Sequence, residues 1–263
     1  MVDYMKIIDL PFDIINIIID MLPVRDKIYF MATNIYFSKN VCIFSMFCNI
    51  KISPSVIKQK KFRNLQMLTL YNNINFNVSN LTKLTYLKVG DYPIEGVSYL
   101  TNLRELCVNS CTNNIITQND IMNLSLLTSL HISFNKKISN INHLSNLLSL
   151  EISGRFTEFY QSSISNLTNI TYLNIETNTH ITNLSHMPNL LYLRCYGTNI
   201  DISKLYKLRT LNLFDRFANI DISHLTNLTE LEASKEYICN NKITINNLSK
   251  LIYVSSINNL YTI

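Results

Sequence analysis

The chain contains no tryptophan, and its 263 residues include only four glycines and five prolines. The glycines, Gly90, Gly96, Gly154 and Gly197, are isolated from one another. The sequence therefore has neither a glycine-rich loop to cradle a phosphate nor a G-x-S-x-G turn to present a nucleophilic serine. These absences argue against nucleotide-dependent chemistry and against serine hydrolysis.

Charged residues are also scarce, at 16% against 47% hydrophobic residues, and this balance excludes a disordered tail. The net charge of +5 comes from one short stretch, residues 51–63, which holds five bases and no acid. Because the excess is local, we interpret this stretch as a solvated connector and expect no nucleic-acid partner. Its bases are Lys51, Lys58, Lys60, Lys61 and Arg63.

Metal and redox sites are not indicated. The six cysteines form no C-x-x-C pair and are too scattered for a disulfide framework, which favours reduced thiols in a cytoplasmic setting. None of the five histidines lies in an H-E-x-x-H motif or at zinc-ligand spacing. We therefore expect no metal, no cofactor and no enzymatic activity.

A membrane segment is not expected either. The apolar residues 7–22 are interrupted by Asp9, Asp13, Asn16 and Asp20, and they lack a basic leader and a small-residue cleavage site. The sequence therefore predicts neither a membrane span nor a signal peptide.

What the sequence does contain is a recurring leucine pattern, clearest in the segment Ile141-x-x-Leu144-x-x-Leu147-x-x-Leu150-x-Ile152. The residue at the Leu150 position, named the frame residue, recurs every 18 to 24 residues. A period of about 20 residues that contains L-x-x-L-x-L is typical of a leucine-rich repeat. The frame residues are Leu68, Leu87, Leu106, Leu130, Leu150, Leu173, Leu193, Leu211, Leu231 and Val254.

This period predicts an α/β solenoid of about ten repeats over residues 64–263. In each repeat a short strand directs the frame residue inward, and neighbouring strands form a parallel sheet on the concave side. The three-residue spacing of Ile141 and Leu144 suits short helical or irregular turns on the convex side. After some of the strands a polar residue is expected to bond neighbouring coils, at Asn73, Cys111, Asn135, Asn178, Thr198 and Asn259. The other coils have Tyr92, Arg155, Arg216 and Glu236 at this place, so we expect an incomplete ladder and irregular turns there.

Residues 1–46 do not follow the repeat, and they predict a small helical module. Apolar residues at helical spacing indicate a first helix from Leu10 to Leu22, which Pro23 ends. A second helix is expected from residue 25 or 26, and a third over residues 38–47.

Residues 47–63 are expected to supply an opening strand and the basic connector. The segment Phe47-x-x-Ile50-x-Ile52 matches the repeat, with Ile50 at the frame position 18 residues before Leu68. We therefore predict that Ile50 pairs with Leu68.

The N-terminal stretch resembles an F-box, whose pattern is a Leu-Pro opening, an acid, aliphatic pairs, and a final leucine and acid. The matching residues are Leu10, Pro11, Asp13, Ile14, Ile15, Ile18, Ile19, Leu22 and Asp26. Departures are Asp13 where Glu is usual, Lys27 where an aliphatic residue is common, and Phe37 where Trp is frequent. With its Asn- and Ile-rich repeats, the chain resembles F-box/leucine-rich repeat proteins encoded by giant DNA viruses of amoebae.

The resemblance implies a substrate adaptor that docks on the Skp-type linker of a cullin–RING ubiquitin ligase and presents a target protein. It would act in the cytoplasm, and in the host cytoplasm if the protein is viral. Docking would use Leu10, Pro11, Ile14, Ile18 and Leu22. Alternatively, these residues form the core of a cap, and the chain is a leucine-rich repeat binding protein without a ligase role. The oligomeric state stays open.

A target protein is expected on the concave sheet face, where the outward side chains of the strands lie. Acidic residues outnumber Lys88 and Arg194 there, so the face suits a basic, partly apolar partner. Alternatively, it is a solvated face whose tyrosines pack on one another. The candidate target-binding residues are Tyr86, Lys88, Glu105, His131, Glu151, Tyr172, Glu176, Tyr192, Arg194, Tyr196, Phe214, Glu230 and Glu232.

Overall fold

The structure is a computed structural model, and it places most of the repeat region. The residues that it describes are 12–23, 26–27, 45–48, 62, 64–70, 76–90, 93–109, 116–152, 159–176, 178–196, 200–214, 221–234 and 248–257. The predicted polar positions at Asn73, Cys111, Thr198 and Asn259 and nearly all of the basic stretch lie outside these residues.

The described fold is built mostly from short β-strands. They are β1 (Ser45–Cys48), β2 (Met67–Leu70), β3 (Phe76–Asn77), β4 (Tyr86–Val89), β5 (Ile94–Glu95), β6 (Glu105–Asn109), β7 (Ser129–Ser133), β8 (Ser149–Glu151), β9 (Tyr172–Ile175), β10 (Tyr192–Tyr196), β11 (Thr210–Phe214), β12 (Glu230–Ser234) and β13 (Tyr253–Ile257). Strands β3 and β5 pair with each other, and the other eleven form one sheet that follows the chain order. All of its pairings are parallel, so each connection returns to the same end of the sheet, and the fold is a parallel-sheet solenoid.

The register confirms the leucine frame. Leu150 on β8 lies beside Leu130 on β7 and Leu173 on β9, and each of the other frame residues is aligned with its neighbours in the same way. The nine frame leucines are at most 1% exposed, whereas Ser149 and Glu151, on either side of Leu150, are half-buried. Each buried leucine contributes roughly 1.5–3 kcal/mol, so stacking the coils supplies the core that a single coil lacks.

The return legs are short turns, as the three-residue spacing predicts. Leu144 N donates to the Ile141 carbonyl at 2.9 Å, and Leu147 N donates to the Leu144 carbonyl at 3.0 Å. These bonds span three residues, the pattern of a 3-10 turn. Longer helical pieces in the repeats are the 3-10 helices Val97–Tyr99 and Gln161–Ser163 and the helix α2 (Gln118–Ile121), which follows α1 (Phe12–Met21) in the chain.

The N-terminal helix α1 falls where the sequence predicts the first helix, and it ends two residues before Pro23. Its side chains Ile15 and Ile19 are fully buried and join the same hydrophobic core as the repeat leucines. Of the second predicted helix only residues 26 and 27 are described; both are helical, and Lys27 is buried. Leu10 and Pro11 lie outside the described residues.

The opening strand is found, but its predicted register is wrong. Strand β1 spans Ser45–Cys48, and Met46, not Ile50, pairs with Leu68. The strand therefore starts within residues 1–46, and it replaces the end of the third helix that we predict over residues 38–47. Because residues 41–50 are almost continuously apolar, their periodicity does not select one register over another.

The last described strand differs from the interior ones. Val254 on β13 occupies the frame position and is 41% exposed, and its neighbour Ile252 is 86% exposed. Within the described residues, no strand pairs with the outer side of β13, and the last frame residue has a neighbouring coil on one side alone.

Candidate protein-binding face

Two consecutive pairs of coils, each coil being one strand with its return leg, are built on the same plan. Residues 116–152 carry β7 and β8, residues 159–195 carry β9 and β10, and they align with a constant offset of 43 residues. We name them the first module and the second module. Their equivalent residues make equivalent hydrogen bonds, which separates the positions that build the scaffold from those that are free to vary.

The predicted polar ladder is present at both of its described positions. Asn135 donates to the Ile116 carbonyl at 2.9 Å and accepts from Lys137 N and Ile138 N at 2.8 and 3.1 Å. Its equivalent in the second module, Asn178, donates to the Phe159 carbonyl and accepts from His180 N and Ile181 N at 2.9–3.1 Å. Both asparagines are buried, so each satisfies three backbone groups that water cannot reach.

A second bridge joins neighbouring coils at their turns. Gln118 donates to the Asn140 carbonyl at 2.7 Å and accepts two backbone N–H groups at 3.1 Å, and Gln161 repeats this pattern with Asn183. The two N–H groups that donate to Gln161 are those of Asn183 at 2.9 Å and Thr182 at 3.1 Å. These glutamines replace backbone bonds that a turn of this kind leaves unmade.

Three of the five histidines have one shared structural role. Nε2 of His143, His186 and His224 donates to a main-chain carbonyl of the preceding coil at 3.0–3.1 Å. Burial lowers the pKa of His186, and its bond to the Ile164 carbonyl opposes this shift. These histidines join the coils, and the described residues contain no group of three His, Cys, Asp or Glu able to hold a metal.

The sheet face is defined by two rows of side chains that run across the strands. One row precedes the frame leucines and contains Tyr86, Glu105, Ser129, Ser149, Tyr172, Tyr192, Thr210, Glu230 and Tyr253. The other follows them and contains Lys88, Cys107, His131, Glu151, Asn174, Arg194, Asn212 and Glu232. The structure therefore brings together nearly all of the candidate target-binding residues with described side chains, in a continuous arrangement.

Two tyrosines form the centre of this face. The rings of Tyr172 and Tyr192 stack with their centroids 4.4 Å apart and their planes 9° from parallel. Asn212 Nδ2 donates to Tyr192 Oη at 3.1 Å, which fixes the second ring. Burial, together with the nearby Tyr192, raises the pKa of Tyr172 to about 12. Both rings are half-buried, and each contacts a side chain on a neighbouring strand.

One ion pair and one histidine–carboxylate contact flank the tyrosines. Arg194 Nη2 lies 3.0 Å from Glu176 Oε2 in the second module, and His131 Nε2 lies 3.1 Å from Glu151 Oε1 in the first. His131 Nε2 is also 2.9 Å from Ser133 Oγ. Both pairs join neighbouring strands and fix the orientation of long polar side chains on the face.

Burial dominates the protonation of the groups around His131. It lowers the pKa of His131 more than the neighbouring Glu151 charge raises it, and Lys88 lowers it further. Burial likewise raises the pKa of the Cys107 thiol, against the opposing charge of Lys88. Cys107 is therefore held as a thiol, which does not favour a nucleophilic role.

Some side chains of the two rows are less accessible than alternation predicts. Asn174 and Asn212 are buried, although they lie on the outward side of their strands. Thr69, which belongs to the same row on β2, is 1% exposed. Met67, which belongs to the other row on β2, is 38% exposed, so β2 contributes to the accessible face through one row alone, and the middle of the face is covered by the tyrosine pair.

Two candidate residues are described through their backbones alone. Tyr196 and Phe214 pair with each other on β10 and β11, at the end of the face beyond Arg194 and Asn212. Their side chains lie outside the described residues, as does any contact between them.

The tandem arrangement of the modules is the feature that sequence reasoning missed. A comparison of the chain with itself at an offset of 43 residues would have found it through Gln118 and Gln161, Asn135 and Asn178, and His143 and His186. The irregular steps between frame leucines hide it, because the period alternates between long and short coils.

The described helices are all too short or too polar to cross a membrane. No protein-family model matches the chain, and no curated protein matches it.

Many solved structures share the fold. The structure of a TDR receptor has a TM-score of 0.54 and 17% identity, over 82% of this chain and 43% of that one. The complex of TLR13 with ssRNA13 has a TM-score of 0.53 and 19% identity, over 84% of this chain and 41% of that one. The chain spans less than half of each of these longer proteins.

A bacterial protein resembles the chain more loosely. Internalin C2 from Listeria monocytogenes has a TM-score of 0.45 and 23% identity, over 68% of this chain and 74% of its own. At these identities the similarity shows the fold alone. The chain is a parallel-sheet solenoid of the leucine-rich repeat type with few helices, as the sequence predicts.

Proposed function

We propose that the chain is a protein-binding scaffold that holds a partner against its sheet face. The observation that carries this proposal is the stacked pair Tyr172 and Tyr192, which occupies positions where the first module has Ser129 and Ser149. The scaffold positions of the two modules are alike, so the rings are not needed to build a coil. Rigid, half-buried tyrosines at the centre of a polar rim are the usual composition of an interface hot spot.

The experiment is an affinity purification with the tagged chain, followed by identification of the bound proteins. The double variant Tyr172→Ser/Tyr192→Ser gives the second module the serines of the first. We expect it to lose about tenfold or more of the captured partner, as hot-spot residues do. The matched control is Tyr206→Ser, because Tyr206 is a 57% exposed tyrosine on a return leg.

Unchanged capture by a folded double variant would move the binding site away from the tyrosines. Circular dichroism decides whether each variant is folded.

A finer role is that of a substrate adaptor whose helix α1 docks on a Skp-type linker. Helix α1 exposes Ile14, Ile17 and Met21 at 43%, 57% and 81%, and these residues lie on one side of the helix, because their spacings are three and four. Among the predicted docking residues, Ile18 and Leu22 are half-buried. An exposed aliphatic surface of this kind favours a docked partner.

The alternative role for α1 is that of a cap, and a different observation favours it. Ile15 and Ile19 are completely buried in the core shared with the repeats, so the helix has a structural task even without a partner. A binding titration with purified Skp-type linker separates the two roles. Docking predicts that Ile14→Asp abolishes binding and leaves the thermal unfolding temperature nearly unchanged.

The matched control for that titration is Ile252→Asp, at the other end of the described solenoid, where the side chain is 86% exposed. If the unmodified chain does not bind the linker, the adaptor role is excluded and the sheet-face proposal is unaffected.

A further inference from the structure

Beyond Tyr192, the row of side chains passes from a large residue to a small one. Tyr172 stacks on one face of this ring from β9, so the other face is turned toward β11. There the row continues with Thr210, whose side chain is much smaller than a tyrosine, and then with Glu230 on β12. Glu230 is two strands from Tyr192, about 10 Å at a strand spacing of roughly 4.8 Å. We name the space above Thr210 the β11 slot.

Both walls of the β11 slot are held in place. Tyr192 is fixed by its stacking on Tyr172 and by the bond from Asn212 Nδ2 to its hydroxyl at 3.1 Å. Glu230 is oriented by Thr210, whose Oγ1 donates to Glu230 Oε2 at 3.2 Å. Binding of a ligand in the slot therefore costs little side-chain conformational entropy in the protein.

The slot is electronegative. Glu230 and Glu232 lie two residues apart on β12, so both carboxylates project from the same face of the sheet. The cation nearest in the rows, Arg194, is paired with Glu176 on the side away from β11. Within the described residues neither β12 carboxylate forms an ion pair, including with the exposed Arg209 that precedes Thr210 in the chain.

We infer that the β11 slot binds an arginine side chain of the partner protein. This inference rests on the proposed function and names the chemistry of one contact within it. A guanidinium group is planar, so it can stack on the outer face of Tyr192 much as Tyr172 stacks on the inner one. Its positive charge then lies over Thr210, between the Tyr192 ring and the Glu230 carboxylate, where the carboxylate attracts it. A lysine ammonium carries the charge but has no planar face to stack.

The same row contains a matched control that lacks a slot. Tyr86 on β4 and Glu105 on β6 are the same two residue types, but they occupy neighbouring strands with none between them. At a strand spacing of roughly 4.8 Å, no partner side chain fits between two side chains on neighbouring strands. Variants of Tyr86 and Glu105 therefore remove the same ring and the same charge from the same row without touching the β11 slot.

The experiment measures the binding of short fluorescein-labelled peptides by fluorescence anisotropy, with the full chain at low ionic strength. The three probes alternate alanine with arginine, with citrulline, or with lysine. Citrulline keeps the shape of arginine and removes its charge. We expect the arginine peptide to bind about tenfold more tightly than the citrulline peptide, with the lysine peptide between them.

The slot predicts a specific pattern among variants. Glu230→Gln and Tyr192→Leu should each weaken the arginine peptide about tenfold, while Glu105→Gln and Tyr86→Leu change it by no more than about twofold. Thr210→Phe fills the slot with no change of charge, and it should remove the preference for arginine over citrulline.

The inference is overturned if the arginine and citrulline peptides bind equally, or if Glu105→Gln weakens binding as much as Glu230→Gln. The second result means that charge alone attracts the peptide. If Thr210→Phe fails to fold, the pairs Glu230/Glu105 and Tyr192/Tyr86 still decide. When partner capture depends on the tyrosines but the peptides show no arginine preference, the slot fails and the proposed function stands. When the variant without the two tyrosines captures as much partner as the unmodified chain, the proposed function fails as well.

Discussion

The first and second modules share a scaffold and differ on their sheet face. The buried asparagine, the bridging glutamine and the coil-joining histidine occupy the same places in both and make the same bonds. On the face, a His131–Glu151 pair in the first module corresponds to Asn174 and Arg194 in the second, and two serines correspond to the stacked tyrosines. The two modules therefore differ at positions that do not build the fold, and that is where we propose that the partner binds.

The largest expected effects test whether the modules share one scaffold. Leu150→Ala and Leu193→Ala each leave a cavity at a completely buried frame position and should cost about 2–5 kcal/mol of the free energy of unfolding. Denaturant titration of both variants measures this loss, and we expect the two values to agree. A loss below about 1 kcal/mol at either site would contradict the frame, since core truncations of leucine cost more.

The buried asparagines should rank next. Asn135→Ala and Asn178→Ala each leave three backbone groups inside the protein without a hydrogen-bond partner. We expect each substitution to lower the free energy of unfolding by about 2–3 kcal/mol. Thermal and denaturant melts check this result. Equal losses support equivalent ladders, and a loss in one module alone would show that the modules are not energetically alike.

The bridging glutamines should matter less because they are only partly buried. Gln118→Ala and Gln161→Ala remove three hydrogen bonds each, but water can replace them, so we expect about 1 kcal/mol per variant. Hydrogen exchange of the Asn140 and Asn183 amides should accelerate in the respective variant. Exchange that stays slow in both would mean that these bridges do not hold the turns.

The smallest expected effect concerns the pH dependence of stability, and it is tested by removing one difference between the two modules. Burial holds the pKa of His131 below 6.5, so its contribution to stability is complete above that pH and decreases as the pH falls toward the lowered value. His131→Asn installs the residue that the second module has at Asn174. This variant should have a flatter loss of stability between neutral and mildly acidic pH, measured by denaturant titration. Burial also lowers the pKa of His186, but this residue is present in both proteins and contributes equally to both. A steeper loss of stability in the variant would therefore contradict the lowered pKa of His131.

Much of the scaffold could be predicted because it depends on local spacing. Inward leucines such as Leu150 recur at one position of every coil, and Asn135 and Asn178 follow their strands at a fixed distance. The strand β1 could not be placed, because residues near Met46 and Ile50 are apolar on both sides of the strand. Where no alternation exists, only packing against the next strand selects the register.

The sequence predicts which residues lie on the sheet face, but it does not predict how their side chains contact one another. Alternation along single strands places Tyr172 and Tyr192 outward, and this follows from the sequence. Whether two outward tyrosines stack, or whether Arg194 turns toward Glu176 or toward Glu232, depends on side-chain torsions set by neighbours on other strands. Those neighbours are separated by about 20 residues or more in the chain, so the pattern of one coil does not contain them.

By itself the sequence determined that the chain is a solenoid of short coils, because a repeated spacing of aliphatic residues allows burial in one stacked arrangement only. It also determined which residues would face outward. The tertiary structure alone decided that Tyr172 and Tyr192 stack, that Arg194 pairs with Glu176, and that Glu230 accepts a hydrogen bond from Thr210. The physical reason is that hydrophobic burial follows the local period of one chain segment, whereas these contacts form between side chains that only the packing of separate coils brings together.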